Sequence, residues 1–371
     1  MDKQVMLAVA GAGKTYHICH TINPKNKNLI LAYTKENIHN IKMELKNAWG
    51  EIPEGTSVMT FDSFVYRFLV LPYEPTIVSY FGCEGFKSNG ITMMASPLQR
   101  IKKNGKYVSN YKYKKKDTIG HYVTKDNRYY CDTLSELVIY VKSKLMNRAI
   151  ARLNLFYDHI YIDEFQDFRK YKYEIILELS RRVNNILLVG DYNQHSVSAN
   201  NNSGIPFGKN VSYHDFVELL KKKRFYVDDV TLRKSRRCSK NVCAFVRDKL
   251  GIDIESSGYN HGEIIWVKDG DVDDVLKDST ILKLVNKNAA QYSFESMNWS
   301  YSKGDTVNKA CVILTKNTER LDEDFFSIED VPIVTKNQLY VALTRSRGDL
   351  YLMKESTFRK YKKNYTKINN D

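Results

Sequence analysis

The stretch with the clearest chemical meaning lies near the start of the chain, where the residues are Ala8-Val9-Ala10-Gly11-Ala12-Gly13-Lys14-Thr15. The apolar run before it predicts a short buried strand, and the residues after it predict the start of a helix. Glycines in such a loop let backbone N–H groups point at phosphate oxygens, and the helix N-terminus favours negative charge. Lys14 suits the outer phosphates and the Thr15 hydroxyl suits Mg²⁺. The phosphate-loop consensus has glycine at Ala8, and the alternative is a glycine-rich turn without a ligand.

Two further apolar runs end in polar residues that suit the same chemistry. The first leads into Asp163-Glu164-Phe165-Gln166-Asp167 and the second into Gly190-Asp191-Tyr192-Asn193-Gln194. Ligand sites of parallel sheets gather at the carboxyl ends of the strands. We expect Asp163 to hold Mg²⁺ through water and Glu164 to orient and deprotonate the attacking water. An Asp-Glu pair after an apolar run is common by chance, whereas the ordered set of three motifs is rare.

These motifs need an α/β fold with parallel strands to position them. Strand-like runs alternate with helical patterns on both sides of a polar stretch at residues 199–204, which predicts a domain boundary. The predicted strands are residues 4–7, 28–33, 57–61, 159–162, 186–189, 230–232, 263–267, 279–285, 310–314 and 350–352. The predicted helices include residues 134–153, 171–181 and 214–223, and a last helix-and-strand unit that starts at Val341-Ala342-Leu343.

The segment from about residue 71 to 144 has a different composition, because strand–helix alternation fades and Lys, Arg and Tyr crowd together. Cations suit phosphates and flat rings suit bases, so this composition is typical of surfaces that bind single-stranded nucleic acid. A solvated basic insertion with structural tyrosines explains it equally well. Its basic residues are Arg100, Lys102, Lys103, Lys106, Lys112, Lys114, Lys115, Lys116, Lys125 and Arg128, interleaved with Tyr107, Tyr111, Tyr113, Tyr122, Tyr129 and Tyr130.

Length and composition agree with a basic protein of two domains. The chain has 371 residues, of which 43% are hydrophobic, and a formal net charge of +14, which favours a polyanionic partner or else marks an inert basic surface. None of the six cysteines forms a CxxC pair, so neither a zinc site nor a disulfide framework is indicated, and we expect free thiols in a reducing cytosol. We expect no signal peptide and no membrane span.

Taken in order, the motifs resemble those of superfamily 1 helicases of the UvrD/Rep type, over most of the chain. The matching positions are Lys14-Thr15, the aromatic-Thr pair Tyr33-Thr34, Thr60-Phe61, residues 163–167, Gly190-Asp191 with Gln194, the turn at 232–239 with Arg237, Ser302-Lys303-Gly304 followed by 312–314, and residues 340–347 with Arg345.

The resemblance implies two RecA-like P-loop NTPase cores with parallel sheets and ATP bound between them. They are residues 1–205, with a basic insertion at about 71–150, and residues 206–371. The implied catalytic residues are Lys14, Glu164, Gln194, Arg237 and Arg345, with Arg345 as arginine finger. ATP is implied to contact Ala10, Gly11, Ala12, Gly13, Lys14, Thr15 and Arg236, and Mg²⁺ to contact Thr15 and Asp163. A single strand is implied to contact Tyr33, Thr34, Thr60, Phe61 and Lys303, with Gln166, Gly304 and Thr306 coupling cleft closure to strand grip.

Several positions depart from the family pattern. Asp62 stands where the family has His, Arg236 replaces the Tyr that stacks on adenine, and residues 195–199 replace a base-stacking stretch. The family's adenine-reading Gln lies well before the phosphate loop, and this sequence begins too late to contain it. The gap from Arg237 to Lys303 is too short for the large insertion of the second core, so we expect a compact motor.

The leading hypothesis is a monomeric, ATP- and Mg²⁺-dependent motor on single-stranded nucleic acid, DNA rather than RNA, in the cytoplasm or in the host-cell cytoplasm if the protein is viral. Two alternatives are an ATPase subunit that acts only with a nuclease, replication or defence complex, and a viral-type RNA helicase. A catalytically silent nucleic-acid-binding module is a weaker alternative, because Lys14, Glu164 and Arg345 are intact. A small-molecule P-loop kinase is weaker still, because it gives no role to the motifs at 190–194 and at Thr344-Arg345.

Overall fold

The computed structural model describes residues 2–195, 204–207 and 211–367, which form a mixed α/β fold. The strands are β1 (Asp2–Leu7), β2 (Asn28–Ala32), β3 (Thr56–Thr60), β4 (Ile91–Thr92), β5 (Arg100–Lys103), β6 (Lys106–Ser109), β7 (Tyr129–Tyr130), β8 (His159–Ile162), β9 (Asn185–Gly190), β10 (Tyr226–Asp228), β11 (Lys234–Ser235), β12 (Glu255–Ser256), β13 (Ile264–Trp266), β14 (Ile281–Val285), β15 (Ser296–Asn298), β16 (Lys309–Ile313) and β17 (Leu350–Met353). The α-helices are α1 (Lys14–Thr21), α2 (Lys35–Trp49), α3 (Phe61–Phe64), α4 (Glu74–Tyr80), α5 (Leu134–Tyr140), α6 (Lys142–Phe156), α7 (Tyr171–Ser180), α8 (Tyr213–Lys222), α9 (Lys240–Leu250), α10 (Val272–Lys277), α11 (Ile333–Leu343) and α12 (Glu355–Tyr361).

The chain forms two compact units, each built from three separate segments of the sequence. Unit 1 comprises Met1–Gln4, Thr15–Leu188 and Glu218–Tyr226, and unit 2 comprises Val5–Lys14, Val189–Val217 and Val227–Asp371. The predicted boundary stretch at 199–204 lies, apart from its last residue, outside the described residues. The assignment of two cores to residues 1–205 and 206–371 therefore stays a prediction.

The parallel sheet of the fold prediction is confirmed in the first half of the chain. The sheet has the strand order β10-β1-β9-β8-β2-β3. Strand β2 pairs in parallel with β3 and with β8, and all five of its residues are buried, as expected for a strand covered on both faces. Ala32 lies opposite Thr60, and Leu31 lies opposite Ile162. The residues that follow β2, β3 and β8 therefore share one edge of the sheet.

The basic insertion contains little regular structure. Strands β4 and β7 form a short parallel pair, and β5 and β6 form an antiparallel hairpin. The turn of this hairpin is Asn104-Gly105, and both residues have positive φ, as two-residue hairpin turns require. Tyr122 and Tyr129 are fully buried, whereas the rings of Tyr107 and Tyr111 are exposed. The tyrosines of the segment thus divide into core residues and surface residues.

Unit 2 contains a second parallel sheet, with the order β13-β17-β16-β14-β15. Helices α10 and α12 cover a core of buried aliphatic and aromatic residues that includes Val272, Leu276 and Phe358. The second half of helix α11 is buried, and Asn337 and Tyr340 are the buried polar side chains in this helix. Burial of a polar side chain is costly unless it is hydrogen-bonded, so both residues need partners.

Two details of the predicted secondary structure are wrong. Residues 230–232 form a turn instead of a strand, because the Asp228 carboxylate accepts hydrogen bonds from the backbone of Val230 and Thr231 and ends β10. Residues 341–343 end helix α11 instead of starting a helix, because α11 already begins at Ile333, directly after Pro332. Within the described ranges, no helix is long and apolar enough to cross a membrane.

Candidate nucleotide and nucleic-acid site

The phosphate loop is held by backbone hydrogen bonds at its first three residues. The N–H of Ala8 donates to the Gly190 carbonyl (2.8 Å), and that of Val9 donates to the Leu232 carbonyl (3.0 Å). The N–H of Ala10 donates to the Tyr340 hydroxyl (2.7 Å). These first three residues are therefore fixed by other segments of unit 2. The N–H of Ala10, a predicted ATP contact, is used by Tyr340, and the other predicted contacts of the loop, residues 11–15, follow it.

Glycine is required at position 11 for two reasons. Its φ of +72° lies in the left-handed region, which residues with a Cβ rarely adopt. In addition, a Cβ there would lie 2.6 Å from the Cβ of Arg237 and 2.8 Å from the Oγ of Ser235. The Gly11 carbonyl accepts a hydrogen bond from the N–H of Arg236 (2.9 Å). The structure thus brings the predicted loop together with both predicted arginines of the 232–239 turn.

The predicted Mg²⁺ residues lie side by side in unit 1. The Thr15 hydroxyl donates to Oδ2 of Asp163 at 2.8 Å, and Asp163 is buried at the end of β8. One hydroxyl and one carboxylate suit Mg²⁺, which prefers oxygen ligands, keeps several waters and takes the rest of its shell from substrate phosphates. The described residues contain no group of three His, Cys, Asp or Glu side chains arranged to hold a metal. The donor set therefore fits a metal that binds together with a nucleotide.

Glu164 has an unusual backbone conformation. Its φ of +53° and ψ of +42° place a non-glycine residue in the left-handed region, which costs free energy and is common at functional sites. Its N–H donates to Oδ1 of Asp163 (2.9 Å), and its carboxylate accepts a hydrogen bond from the Gln166 amide. The predicted base and the predicted coupling residue are therefore in direct contact.

Gln194 is held by a carboxylate. Its side-chain amide donates to Oδ2 of Asp191 (2.9 Å), while Oδ1 of Asp191 accepts from the N–H of Asn193 (2.9 Å). The same Oδ2 atom also accepts a hydrogen bond from the Tyr340 hydroxyl (3.2 Å). Asp191 thereby fixes the orientation of the predicted catalytic glutamine.

Arg345 is almost fully buried, with 1% of its surface exposed. Its guanidinium donates to the carbonyls of Val341 (2.7 Å), Ser302 (3.1 Å) and Asp305 (3.3 Å), and to the Thr344 hydroxyl (3.3 Å). Burial, and then the positive charge of Arg237, lower its pKa to about 9. These bonds join the C-terminal end of α11 to the 302–305 turn, so the guanidinium has a structural role besides the predicted catalytic one.

The turn that contains the other coupling residues is tight. Gly304 has a φ of +99°, and the N–H of Asp305 donates to the Ser302 carbonyl (3.1 Å). Lys303 is half-buried, and Thr306 is exposed. The predicted nucleic-acid contact Lys303 and the predicted coupling residues Gly304 and Thr306 therefore belong to one turn, which Arg345 anchors.

The predicted nucleic-acid residues of unit 1 lie at the shared sheet edge. Thr34 and Thr60 are the N-cap residues of α2 and α3, where their hydroxyls accept hydrogen bonds from backbone N–H groups. The ring of Tyr33 is half-buried, and the ammonium of Lys172 lies 4.9 Å from its centre. The ring of Phe61 is buried against Phe168 at 4.9 Å. The Phe61 ring therefore belongs to the core, which the sequence pattern did not predict.

Tyr340 and Asn337 are the polar residues near the site that sequence reasoning missed as site residues. The Asn337 amide donates to the His195 carbonyl (2.8 Å), and Tyr340 contacts Ala10 and Asp191 as described above. The signal in the sequence for Tyr340 is its place as the first residue of the 340–347 motif. Asn337 lies one turn earlier among the polar residues Thr335, Lys336 and Gln338, so nothing in the sequence singles it out.

Comparison with protein families gives a match to part of the chain. Residues 86–196 match the UvrD/REP helicase N-terminal domain. This segment includes the Asp163–Asp167 and Gly190–Gln194 motifs, and it excludes the phosphate loop and the motif around Arg345. Comparison with curated proteins gives no match.

Two similar solved structures are helicases. The first is the complex of arterivirus nonstructural protein 10 (helicase) with DNA, at 11% identity and a TM-score of 0.44, covering 94% of this chain and 60% of that one. The second is the PRRSV helicase, at 10% identity and a TM-score of 0.45, covering 95% of this chain and 52% of that one. The chain thus spans little more than half the length of these proteins.

Proposed function

We propose that this chain, which carries a UvrD/REP-type helicase domain, is an ATP-driven motor on single-stranded nucleic acid, with DNA as its track. The observation that carries the proposal is the 2.8 Å contact between the Thr15 hydroxyl and the Asp163 carboxylate, with Glu164 directly after it. This pair suits a nucleotide-bound Mg²⁺ beside a candidate base, and Thr15 directly follows Lys14 in the loop.

Each residue of the site has a proposed part in hydrolysis. The backbone of residues 11–13 and the Lys14 ammonium bind the phosphates, and Arg236 stacks on the base. The Ala10 N–H, a predicted ATP contact, takes no part in this binding, because it is bonded to Tyr340. Thr15 and Asp163 hold Mg²⁺, which neutralises charge on the outer phosphates when it is bound. Glu164 takes the proton of the attacking water. The Gln194 amide contacts the terminal phosphate, and Arg237 and Arg345 stabilise the charge that develops on it.

The nucleic acid is proposed to run over residues that lie at or after the ends of β-strands of the protein. Tyr33, Thr34, Thr60 and Lys303 contact the nucleic-acid strand, and Phe61 contributes its backbone because its ring is buried. Gln166, which bonds to Glu164, and the turn of Gly304 and Thr306, which Arg345 anchors, link the nucleic-acid contacts to the site of hydrolysis. The net charge of +14 supports a polyanionic track. The match of residues 86–196 to a UvrD/REP helicase N-terminal domain supports a helicase-type motor.

ATP turnover with different polymers tests this proposal. The purified chain is assayed alone and with single-stranded DNA, single-stranded RNA or duplex DNA, each at two salt concentrations. We expect strong stimulation by single-stranded DNA that weakens with salt. Stimulation by RNA alone would indicate an RNA helicase, and turnover indifferent to every polymer would indicate a partner-dependent ATPase. Absence of turnover with retained DNA binding would indicate a binding module.

The variant Glu164→Gln tests the assignment of the base. We expect ATP binding to persist while turnover falls about 10²- to 10⁴-fold, the usual contribution of a positioned general base. The matched control is Glu174→Gln on the neighbouring helix α7, which should leave turnover unchanged. Turnover of Glu164→Gln at the wild-type rate would remove this residue from the mechanism.

A further inference from the structure

The Tyr340 hydroxyl is the meeting point of three sequence motifs. It accepts a hydrogen bond from the Ala10 N–H at 2.7 Å and donates one to Oδ2 of Asp191 at 3.2 Å. The direction of both bonds is fixed, since an N–H can only donate and an ionised carboxylate can only accept. Tyr340 is fully buried, so water does not replace either bond.

Asp191 extends this connection to the Gln194 amide. The carboxylate oxygen that accepts from Tyr340 is the one that accepts from Gln194 at 2.9 Å. A continuous path of hydrogen bonds therefore runs from the Ala10 N–H through Tyr340 and Asp191 to Gln194. Burial and the charge of Asp191 raise the pKa of Tyr340, which keeps the hydroxyl protonated and able to donate.

Hydrogen bonds fix helix α11 on either side of Tyr340. One turn earlier, the Asn337 amide bonds to the His195 carbonyl at 2.8 Å. One turn later, the Thr344 hydroxyl donates to the carbonyl of Tyr340 at 2.7 Å. A single helix thus contacts the phosphate loop and the 191–195 segment together, which gives Tyr340 a defined position relative to both.

We propose that Tyr340 is a positioning residue that aligns Gln194 with the phosphate loop, so that the site distinguishes ATP from ADP. The inference rests on the proposed function, which assigns the terminal phosphate to Gln194. Removal of the hydroxyl takes an acceptor from the Ala10 N–H and a donor from the Asp191 carboxylate. Gln194 then no longer has a fixed distance from the loop. Contacts with the two inner phosphates depend on the loop backbone and Lys14, so ADP binding does not need this path.

The experiment compares binding of fluorescent ATP and ADP in the Glu164→Gln background, in which we expect bound ATP to be hydrolysed slowly. We expect Tyr340→Phe to weaken ATP binding about tenfold, the size expected for removal of one hydrogen bond to a charged group, and to change ADP binding less than twofold. The matched control is Tyr365→Phe, which removes a tyrosine–carboxylate bond to Asp273 (2.6 Å) in the same unit and should keep the selectivity.

Each outcome has one meaning. Equal weakening of ATP and ADP, or no change in either, would reduce Tyr340 to a structural residue and overturn the inference. If Tyr340→Phe fails to fold, as judged by thermal unfolding, Asp191→Asn replaces it, because it weakens the same path with no change of shape, and the same loss of selectivity is expected. If the Glu164→Gln parent binds neither nucleotide, the proposed function fails, and the inference fails with it.

Discussion

At the scale of single residues, Arg345 combines a predicted catalytic role with an observed structural one. Three backbone carbonyls, from Val341, Ser302 and Asp305, converge on its guanidinium. A lysine ammonium has the same charge but lacks the planar fork that reaches several acceptors at once. The substitution Arg345→Lys therefore separates positive charge from the geometry of the hydrogen bonds.

We expect Arg345→Lys to lower the free energy of unfolding by about 1–3 kcal/mol, the cost of leaving buried acceptors unpaired. Chemical denaturation measures this, with the exposed Arg236 as a control in Arg236→Lys, which should match the wild type. Unchanged stability together with reduced ATP turnover would show that Arg345 acts only in catalysis.

At the scale of elements, helix α2 begins at a residue with two proposed roles. Thr34 caps the helix, accepting from the N–H of Asn37 at 3.1 Å, and is also a proposed nucleic-acid contact. We expect Thr34→Ala to cost about 1 kcal/mol of stability and Thr34→Asn to cost little, because Asn is an equally good N-cap. A loss of single-stranded DNA affinity in both variants would support the contact, whereas a loss confined to Thr34→Ala would assign the effect to capping.

The insertion contains a buried carboxylate that makes its stability depend on pH. Burial raises the pKa of Glu136, but hydrogen bonds from Lys116, Tyr171 and His121 outweigh this, and the pKa lies below its usual value of 4.5. A carboxyl with a lowered folded-state pKa stabilises the fold above the unfolded-state pKa and loses that contribution as pH falls through the folded-state pKa.

We therefore expect the wild type to be more stable than Glu136→Gln above pH 4.5, and the difference to shrink as the pH falls below that value. Thermal unfolding of both proteins over a pH series measures it. The exposed carboxylate of Glu263 offers a control, because it hydrogen-bonds to Asn241 and has no ion pair in the part of the chain that the structure describes. A difference independent of pH would contradict the assignment.

Most elements were predictable because their cause is local. The alternation of apolar strands and helical patterns predicted the strands that end at the site, and the glycines at positions 11 and 13, both left-handed in the structure, indicated the phosphate loop. The turn after β10 was not predictable from the apolar residues 230–232, because the Asp228 side chain decides the conformation there. The hairpin at Asn104-Gly105 had a usable signal in that dipeptide.

Residues whose role depends on distant partners could not be predicted in the same way. The motifs around Lys14, Asp163 and Gln194 indicate candidate catalytic side chains, and that assignment stays a prediction. The sequence cannot indicate that Phe61 turns inward or that Tyr340 reaches Ala10, because both follow from packing between segments far apart in the chain. Burial decides these roles, and sequence periodicity does not separate a core tyrosine from a site tyrosine.

At the scale of the whole molecule, the excess positive charge predicts how binding responds to salt. Each phosphate of a single strand that the protein neutralises adds about 0.7 to the slope of log K against log salt. We expect neutralising Lys102, Lys103 and Lys106 on the exposed hairpin to Gln to lower the slope by up to about 2 if all three bind phosphates. Fluorescence anisotropy with single-stranded DNA at several salt concentrations measures it.

The control for this prediction has the same total charge. Changing Lys221, Lys222 and Lys223, which lie at the exposed end of α8, to Gln also removes three positive charges. Equal slopes for the two triple variants would show that only net charge matters and that the hairpin is an inert basic surface. A smaller slope for the hairpin variant alone would indicate that single-stranded DNA binds on the hairpin.

The bond between Ala10 and Tyr340 has a consequence for how the protein is made, because 330 positions separate the two residues. A ribosome adds about 5–20 residues per second, so the loop is synthesised roughly 16–66 s before its partner. The first functional segment to be synthesised is thus among the last to be completed. A nascent chain carries the loop without the hydroxyl that holds it, so under the proposed function we expect ATP turnover only when translation is nearly finished.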